Sequence, residues 1–159
     1  MVLYSWIVFV GESMKLLFRG LIVVLFGGRW SLGYNVCMKH EMGLQSKYFD
    51  YIRNGTKRIE LRLFDEKRQR VRLGDIIEFT NPDGEKLLAK VVGLLRYGSF
   101  EDLFRDFDIS ILADVSMTKR ELLDVLNGFY PAEKQAEMGV VGIRVEVTYG
   151  VIDVEGLFG

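Results

Sequence analysis

The chain has 159 residues, 49% of them hydrophobic and 27% charged, an ordinary globular composition that makes one domain with a sizeable core the default. A formal net charge of −1 excludes a global basic field, so any nucleic-acid binding must come from a local patch. The single cysteine, Cys37, excludes an intramolecular disulfide and a cysteine-based zinc site, and the single histidine, His40, excludes a multi-histidine metal centre. A catalytic triad would have to be built on His40, which lies outside any recognisable motif and reads as a solvated residue near a strand start. No metal and no cofactor is expected.

Residues 1–37 differ in composition from the rest. Val2 to Val10 is almost wholly apolar, Gly11-Glu12-Ser13 interrupts it, and Leu16 to Phe26 is apolar again except for Arg19. Neither run reaches the roughly 20 apolar residues of a spanning helix. A signal peptide carries positive charge ahead of its apolar run. Val2–Val10 has none, and the second run is short, with no small-residue cleavage site beyond Gly27-Gly28. Three readings stay open: a membrane-associated or signal-like leader, extra strands or a helix packed on the domain, or translation from upstream of a true start at Met38 or Met42. The abrupt change in composition and the complete pattern after Met38 favour the last. The expected organisation is an apolar extension over 1–37, a domain over 38–150 and a tail over 151–159. The expected location is the cytoplasm, with membrane association only if residues 1–37 are native.

From Met38 the pattern is regular. Glu41 to Leu44 reads as a short strand. Ser46 to Asn54 reads as a helix that Ser46 can cap, with Tyr48, Tyr51 and Ile52 on one face. Asn54-Gly55 ends it, because glycine accepts the left-handed conformation at a helix terminus. Lys57 to Leu63 reads as a strand. Phe64 to Arg72, with Lys67, Arg68, Arg70 and Arg72 against Asp65 and Glu66, reads as an exposed, locally basic loop. Gly74-Asp75 turns into the strand Ile76 to Thr80. Asn81-Pro82-Asp83-Gly84 is a hairpin signal, and Lys86 to Tyr97 is the long return strand. Gly93 within it marks a bulge or sharp bend.

Ser99, with Asp102 three residues on, caps a short helix through Phe104. Asp106 to Val115 is ambiguous. Thr118 and Glu121 form a capping box that opens a helix to about Asn127, which Gly128 ends. Pro131 can start another helical turn through Met138, and Val140 to Thr148 alternates as a final strand. The fold class this implies is α+β: five or six strands in a mixed, strongly bent sheet or small barrel, flanked by three short helices. The absence of a regular βαβ repeat argues against a doubly wound fold.

Chemistry concentrates at Asn54–Arg62. Lys57 and Glu60 point to opposite faces of a regular strand, and an irregular start at Thr56-Lys57 would let them meet. Glu60 and Arg62 share a face, where they can pair or both address a ligand. Arginine suits bidentate contact with phosphate or carboxylate. Lysine offers a point charge or, with a lowered pKa, a nucleophile or base. Spacing alone does not separate a ligand site from a surface strand with a salt bridge.

Gly55-x-Lys57-x-x-Glu60-x-Arg62 resembles the signature of the ASCH domain family, whose fold is PUA-like. The helix pattern Tyr48-Phe49-x-x-Ile52-x-x-Gly55 is similar to the family's, as are Gly74-Asp75-x-Ile77-x-Phe79 and Tyr97-x-x-Phe100-x-x-Leu103. So is Tyr130-Pro131-x-x-Lys134 with the following Gly139-Val140-Val141-Gly142-Ile143. The resemblance covers about residues 40–148. It implies a small β-barrel flanked by helices, with a cleft lined by the signature residues, and RNA, a nucleotide or a modified nucleoside as partner.

Some small family members are amidohydrolases acting on acetylated cytidine, or ribonucleases. In the amidohydrolase type a threonine occupies the position of Glu60, so this chain departs from that pattern. In the ribonuclease type a tyrosine six residues before the signature lysine is implicated, and Tyr51 has that spacing. The resemblance therefore implies Lys57, Glu60 and Tyr51 as candidate catalytic residues, and Lys57, Glu60, Arg62 and Tyr51 as ligand contacts. From the residues themselves, Arg68, Arg70 and Arg72 can supply a backbone-binding patch or form a solvated loop. Tyr130 and Lys134 are rim candidates, with Tyr130 also read as packing on the barrel. Three functions remain open: an RNA- or nucleotide-binding module, a hydrolase of modified nucleosides or RNA, and a regulatory protein-interaction domain.

Overall fold

The computed structural model describes residues 6–10, 13–18, 21–26, 29–34, 37–114 and 116–148, with side chains described from residue 37 onward. The expected tail falls outside them. The chain divides into two units, Met1–Cys37 and Met38–Gly159. In the first, β1 (Trp6–Val10), β2 (Ser13–Phe18), β3 (Leu21–Phe26) and β4 (Arg29–Tyr34) pair antiparallel in chain order. The apolar run Leu16 to Phe26 is thus shared between two strands, with Leu17 opposite Ile22. Its Val, Ile and Phe content suits a pleated surface. Among the described residues no helix is long and apolar enough to cross a membrane.

The second unit opens with β5 (Lys39–Gly43), α1 (Ser46–Arg53), β6 (Ile59–Leu63), α2 (Glu66–Gln69), β7 (Ile76–Thr80) and β8 (Lys86–Tyr97). It continues with α3 (Phe100–Asp106), α4 (Ile109–Leu112), α5 (Lys119–Phe129), α6 (Ala132–Met138) and β9 (Val140–Val147). The five strands form one mixed sheet in the order β5-β7-β8-β9-β6, curled into a half-barrel. β5 runs parallel to β7, and the other pairings are antiparallel. This is the expected α+β architecture, with six helices among the described residues in place of three.

Local chemistry explains the additional helices. Asp65 accepts a hydrogen bond from the Arg68 N–H and caps α2, so the basic stretch read as a loop holds a helical turn. Asp108 does the same for α4 through the Ser110 N–H, within the segment the sequence left ambiguous. Two helix ends differ from expectation. Gln45 occupies the N-cap position of α1 without a side-chain cap, and Ser46 is already helical. Gly128 does not end α5, which continues to Phe129. The break comes at Tyr130, which precedes Pro131 and so is pushed out of the helical region.

The sheet carries a core on each face. α1 lays Phe49 and Ile52 over Ile77, Phe79, Val91 and Ile143. On the other side Ile59, Leu61 and Leu63 of β6 meet Phe100 and Leu103 of α3, Leu112 of α4 and Leu122 of α5. Gly142 of β9 lies at this second interface. A Cβ there would sit 3.0 Å from Ile59 Cγ2 and 3.1 Å from Leu103 Cδ1, so glycine is what lets α3 close on the sheet. The register of β8 on β9 slips between Val91 and Gly93, the bulge expected at that glycine.

His40 is not the solvated residue its isolation suggested. Its Nε2 lies 2.8 Å from Oδ2 of the buried Asp75. Asp75 also accepts the N–H groups of Arg72 at 2.8 Å and Met38 at 3.0 Å, so it pins the start of β5. A second carboxylate, Glu78 on β7, takes hydrogen bonds from Lys86 at 2.7 Å and Lys39 at 3.1 Å, which hold its pKa below the ordinary glutamate value. A depressed folded-state pKa stabilises the fold above the unfolded value and loses that contribution as pH falls through the folded one. The stability advantage of the wild type over Glu78→Gln should therefore be full at neutral pH and fade below about pH 4. Urea melts across that range test it, and an advantage independent of pH would contradict the assignment.

Candidate functional site

The helix–turn–strand segment Ser46–Leu63 builds one wall of a cleft. α1 stops at Asn54, and Gly55 takes φ 80°, which reverses the chain. Strand pairing begins only at Ile59, two residues later than the sequence suggested for Lys57. The intervening segment closes off the end of α4: the Arg58 N–H donates to Ile111 O at 2.9 Å, and Lys57 Nζ donates to Leu112 O at 2.7 Å. These are carbonyls that a helix C-terminus leaves without an internal partner. The non-strand geometry at Lys57 also brings its ammonium to the Glu60 face, with Nζ 3.6 Å from Glu60 Oε2.

Glu60 stands between two cations. Arg62 Nε lies 2.8 Å from Glu60 Oε1, although its N–H is not aimed at that oxygen and Nε has no hydrogen-bond acceptor. Arg62 Nη1 donates to the Tyr130 hydroxyl at 3.2 Å, and Nη2 donates to Gly43 O at 2.7 Å. A guanidinium has two protons on each Nη, so one on each remains for a further acceptor. Lys57 and Glu60 are both buried, at 4% exposure, while the Arg62 side chain keeps 17%. Burial lowers the pKa of Lys57 below the ordinary lysine value, against the opposing pull of Glu60.

These groups open into a cleft of about 150 Å³. Tyr48 forms its wall on the α1 side, with Lys57 Nζ 5.7 Å from the ring centre. Leu122, Val125, Leu126 and Phe129 of α5 line the opposite side, and Tyr130 closes the end. Phe129, 57% exposed, and Val125 form the apolar rim of the cleft on this side.

The structure brings Lys57, Glu60 and Arg62 together, and Tyr130 joins them through its hydroxyl. Tyr51 does not line this cleft; it meets Lys57 through the main chain, where its carbonyl accepts the Lys57 N–H at 2.8 Å. Arg68 and Arg70 lie in a different groove, beside β5, and Lys134 is exposed on α6. The cleft residues not singled out from sequence include Gly43, Tyr48 as a wall, and, on α5, Val125 and Phe129. The last two are exposed apolar residues at i and i+4 on α5, the one signal that could have marked them.

The family model of the ASCH domain matches residues 42–148, a span that contains every wall of the cleft. The chain belongs to the ASCH domain family. Two solved structures resemble this ASCH domain. The crystal structure of the hypothetical protein PH0355 is 40% identical, with a TM-score of 0.64, over 70% of this chain and 100% of its own. The solution NMR structure of protein PF0455 from Pyrococcus furiosus is 34% identical, with a TM-score of 0.60, over 71% of this chain and 100% of its own. No curated protein matches the chain.

Proposed function

We propose that this ASCH domain is an RNA- or nucleotide-binding module whose ligand occupies the Lys57–Glu60–Arg62 cleft. The observation that carries the reading is the charge balance of the buried cluster. Two cations share one carboxylate, leaving an excess positive charge inside a cleft walled by Tyr48, Phe129 and Tyr130. The free Nη protons of Arg62 suit a phosphate or a base carbonyl, and the aromatic walls suit a stacked base. The test is equilibrium binding of short RNA oligonucleotides and modified nucleosides to the full chain over a range of salt. Binding should weaken with salt, fall at least tenfold in Arg62→Ala and recover in part in Arg62→Lys. Equal affinity in wild type and Arg62→Ala, or no binding across the panel, would remove the proposal.

A hydrolase reading is favoured by one observation, the desolvated ammonium of Lys57 beside Glu60. Burial is how a lysine is brought toward the range where it exchanges protons during catalysis. Under this reading Lys57→Ala abolishes turnover of an acylated cytidine or of RNA. An absence of turnover by the wild type on both substrates would exclude it.

A further inference from the structure

A second cationic site lies along β5, outside the cleft. A groove of about 230 Å³ is lined by Lys39, His40 and Glu41 of β5 and by Lys67, Arg68 and Arg70 of the α2 segment. Four cations thus face one carboxylate. Lys39 is engaged with Glu78, and Arg68 Nη1 with Asp65 at 2.8 Å. The side chains of Lys67 and Arg70 form no ion pair or hydrogen bond with any described residue. Arg68 Nε is buried without an acceptor, a donor that the described residues leave unanswered. The floor is fixed: Asp75 holds His40, and the Asp65 cap holds the first turn of α2. Like-charged side chains gathered in a concave, anchored place, with too few carboxylates to neutralise them, attract an anion.

The groove and the cleft are joined by one strand. β5 lines the groove with Lys39 to Met42, and its last residue, Gly43, lines the cleft and accepts from Arg62 Nη2. At about 3.3 Å per residue, Lys39 to Gly43 spans roughly 13 Å. A mononucleotide seated in the cleft falls short of that distance, and a short single strand covers it. We infer that the β5–α2 groove binds backbone phosphate of the same single-stranded RNA whose base occupies the cleft, so that the strand runs along β5. The inference rests on the nucleotide-binding reading of the cleft and adds a second, separable contact.

The experiment compares a mononucleotide with a short RNA oligonucleotide as probes of the full chain, in wild type, in Lys67→Ala/Arg70→Ala and in Arg62→Ala. Both groove substitutions fall on exposed side chains, so the fold is kept. The groove variant should bind the oligonucleotide on the order of tenfold more weakly near 0.1 M salt, with a log–log salt slope smaller by about 1.4. Its mononucleotide affinity should match wild type. Unchanged oligonucleotide affinity and slope would overturn the groove while leaving the cleft reading intact. Oligonucleotide binding that depends on Lys67 and Arg70 but not on Arg62 would keep the groove and remove the cleft. Absence of RNA binding by the wild type overturns both.

Discussion

Glu60→Ala should destabilise the fold by about 3–5 kcal/mol, because it leaves two cations near each other with no anion between them. Lys57 is fully enclosed and Arg62 partly exposed, and neither can turn to solvent without leaving a backbone carbonyl it now satisfies. The reverse deletion is milder. Lys57→Met leaves Glu60 paired with Arg62 at 2.8 Å, and costs chiefly the cap on Leu112 O, about 1–2 kcal/mol. Combining them gives the sharper readout. Lys57→Met/Glu60→Ala removes the uncompensated ammonium together with the carboxylate, so the pair should cost less than the sum of the single changes. Guanidinium melts of the four proteins measure it. Additive effects, or a Glu60→Ala loss under about 1 kcal/mol, would mean that the three charges are not coupled.

Phe49→Ala should cost a similar amount, about 3–5 kcal/mol, by opening a cavity under α1. The ring is fully buried against both sheet and helix. Tyr51→Ala, two residues on, should cost far less, because that side chain is half-buried at the helix edge. Thermal or denaturant melts of the two variants check this. Equal losses would mean that α1 turns Tyr51 toward the core as fully as Phe49.

This contrast shows where sequence reading stops. The spacing of Tyr48, Tyr51 and Ile52 correctly marks a helix in α1. The buried stripe, however, runs through Phe49 and Ile52, rotated by one position, and the two tyrosines flank it. A helix of eight residues has too few apolar positions to fix its own phase. Elements specified by local chemistry were legible: the bounds of β8, its bulge near Gly93, the Ser99 cap and the Thr118–Glu121 capping box. The signature triplet was legible as well, but the meeting of Lys57 with Glu60 was left conditional on an irregular strand start, which the structure has. Other features arise only through distant pairing. Lys57 finds its carbonyl 55 residues away, and His40 its carboxylate 35 residues away. No local pattern announces either contact, so His40 looked solvated and Lys57 looked like part of a strand.

The hydrogen bond from Lys57 to Leu112 makes the far end of α4 a gauge of what happens in the cleft. The ammonium satisfies the last carbonyl of a four-residue helix, and the neighbouring Arg58 N–H satisfies the one before it. A ligand that draws the ammonium toward itself takes it from Leu112, and so short a helix has little else to hold its terminus. Under the nucleotide-binding reading, filling the cleft should therefore loosen residues 109–114, on an element that supplies none of the cleft's lining. Amide exchange or a fluorophore at the exposed Ser116 would then register occupancy from outside the cleft, without a label on the ligand.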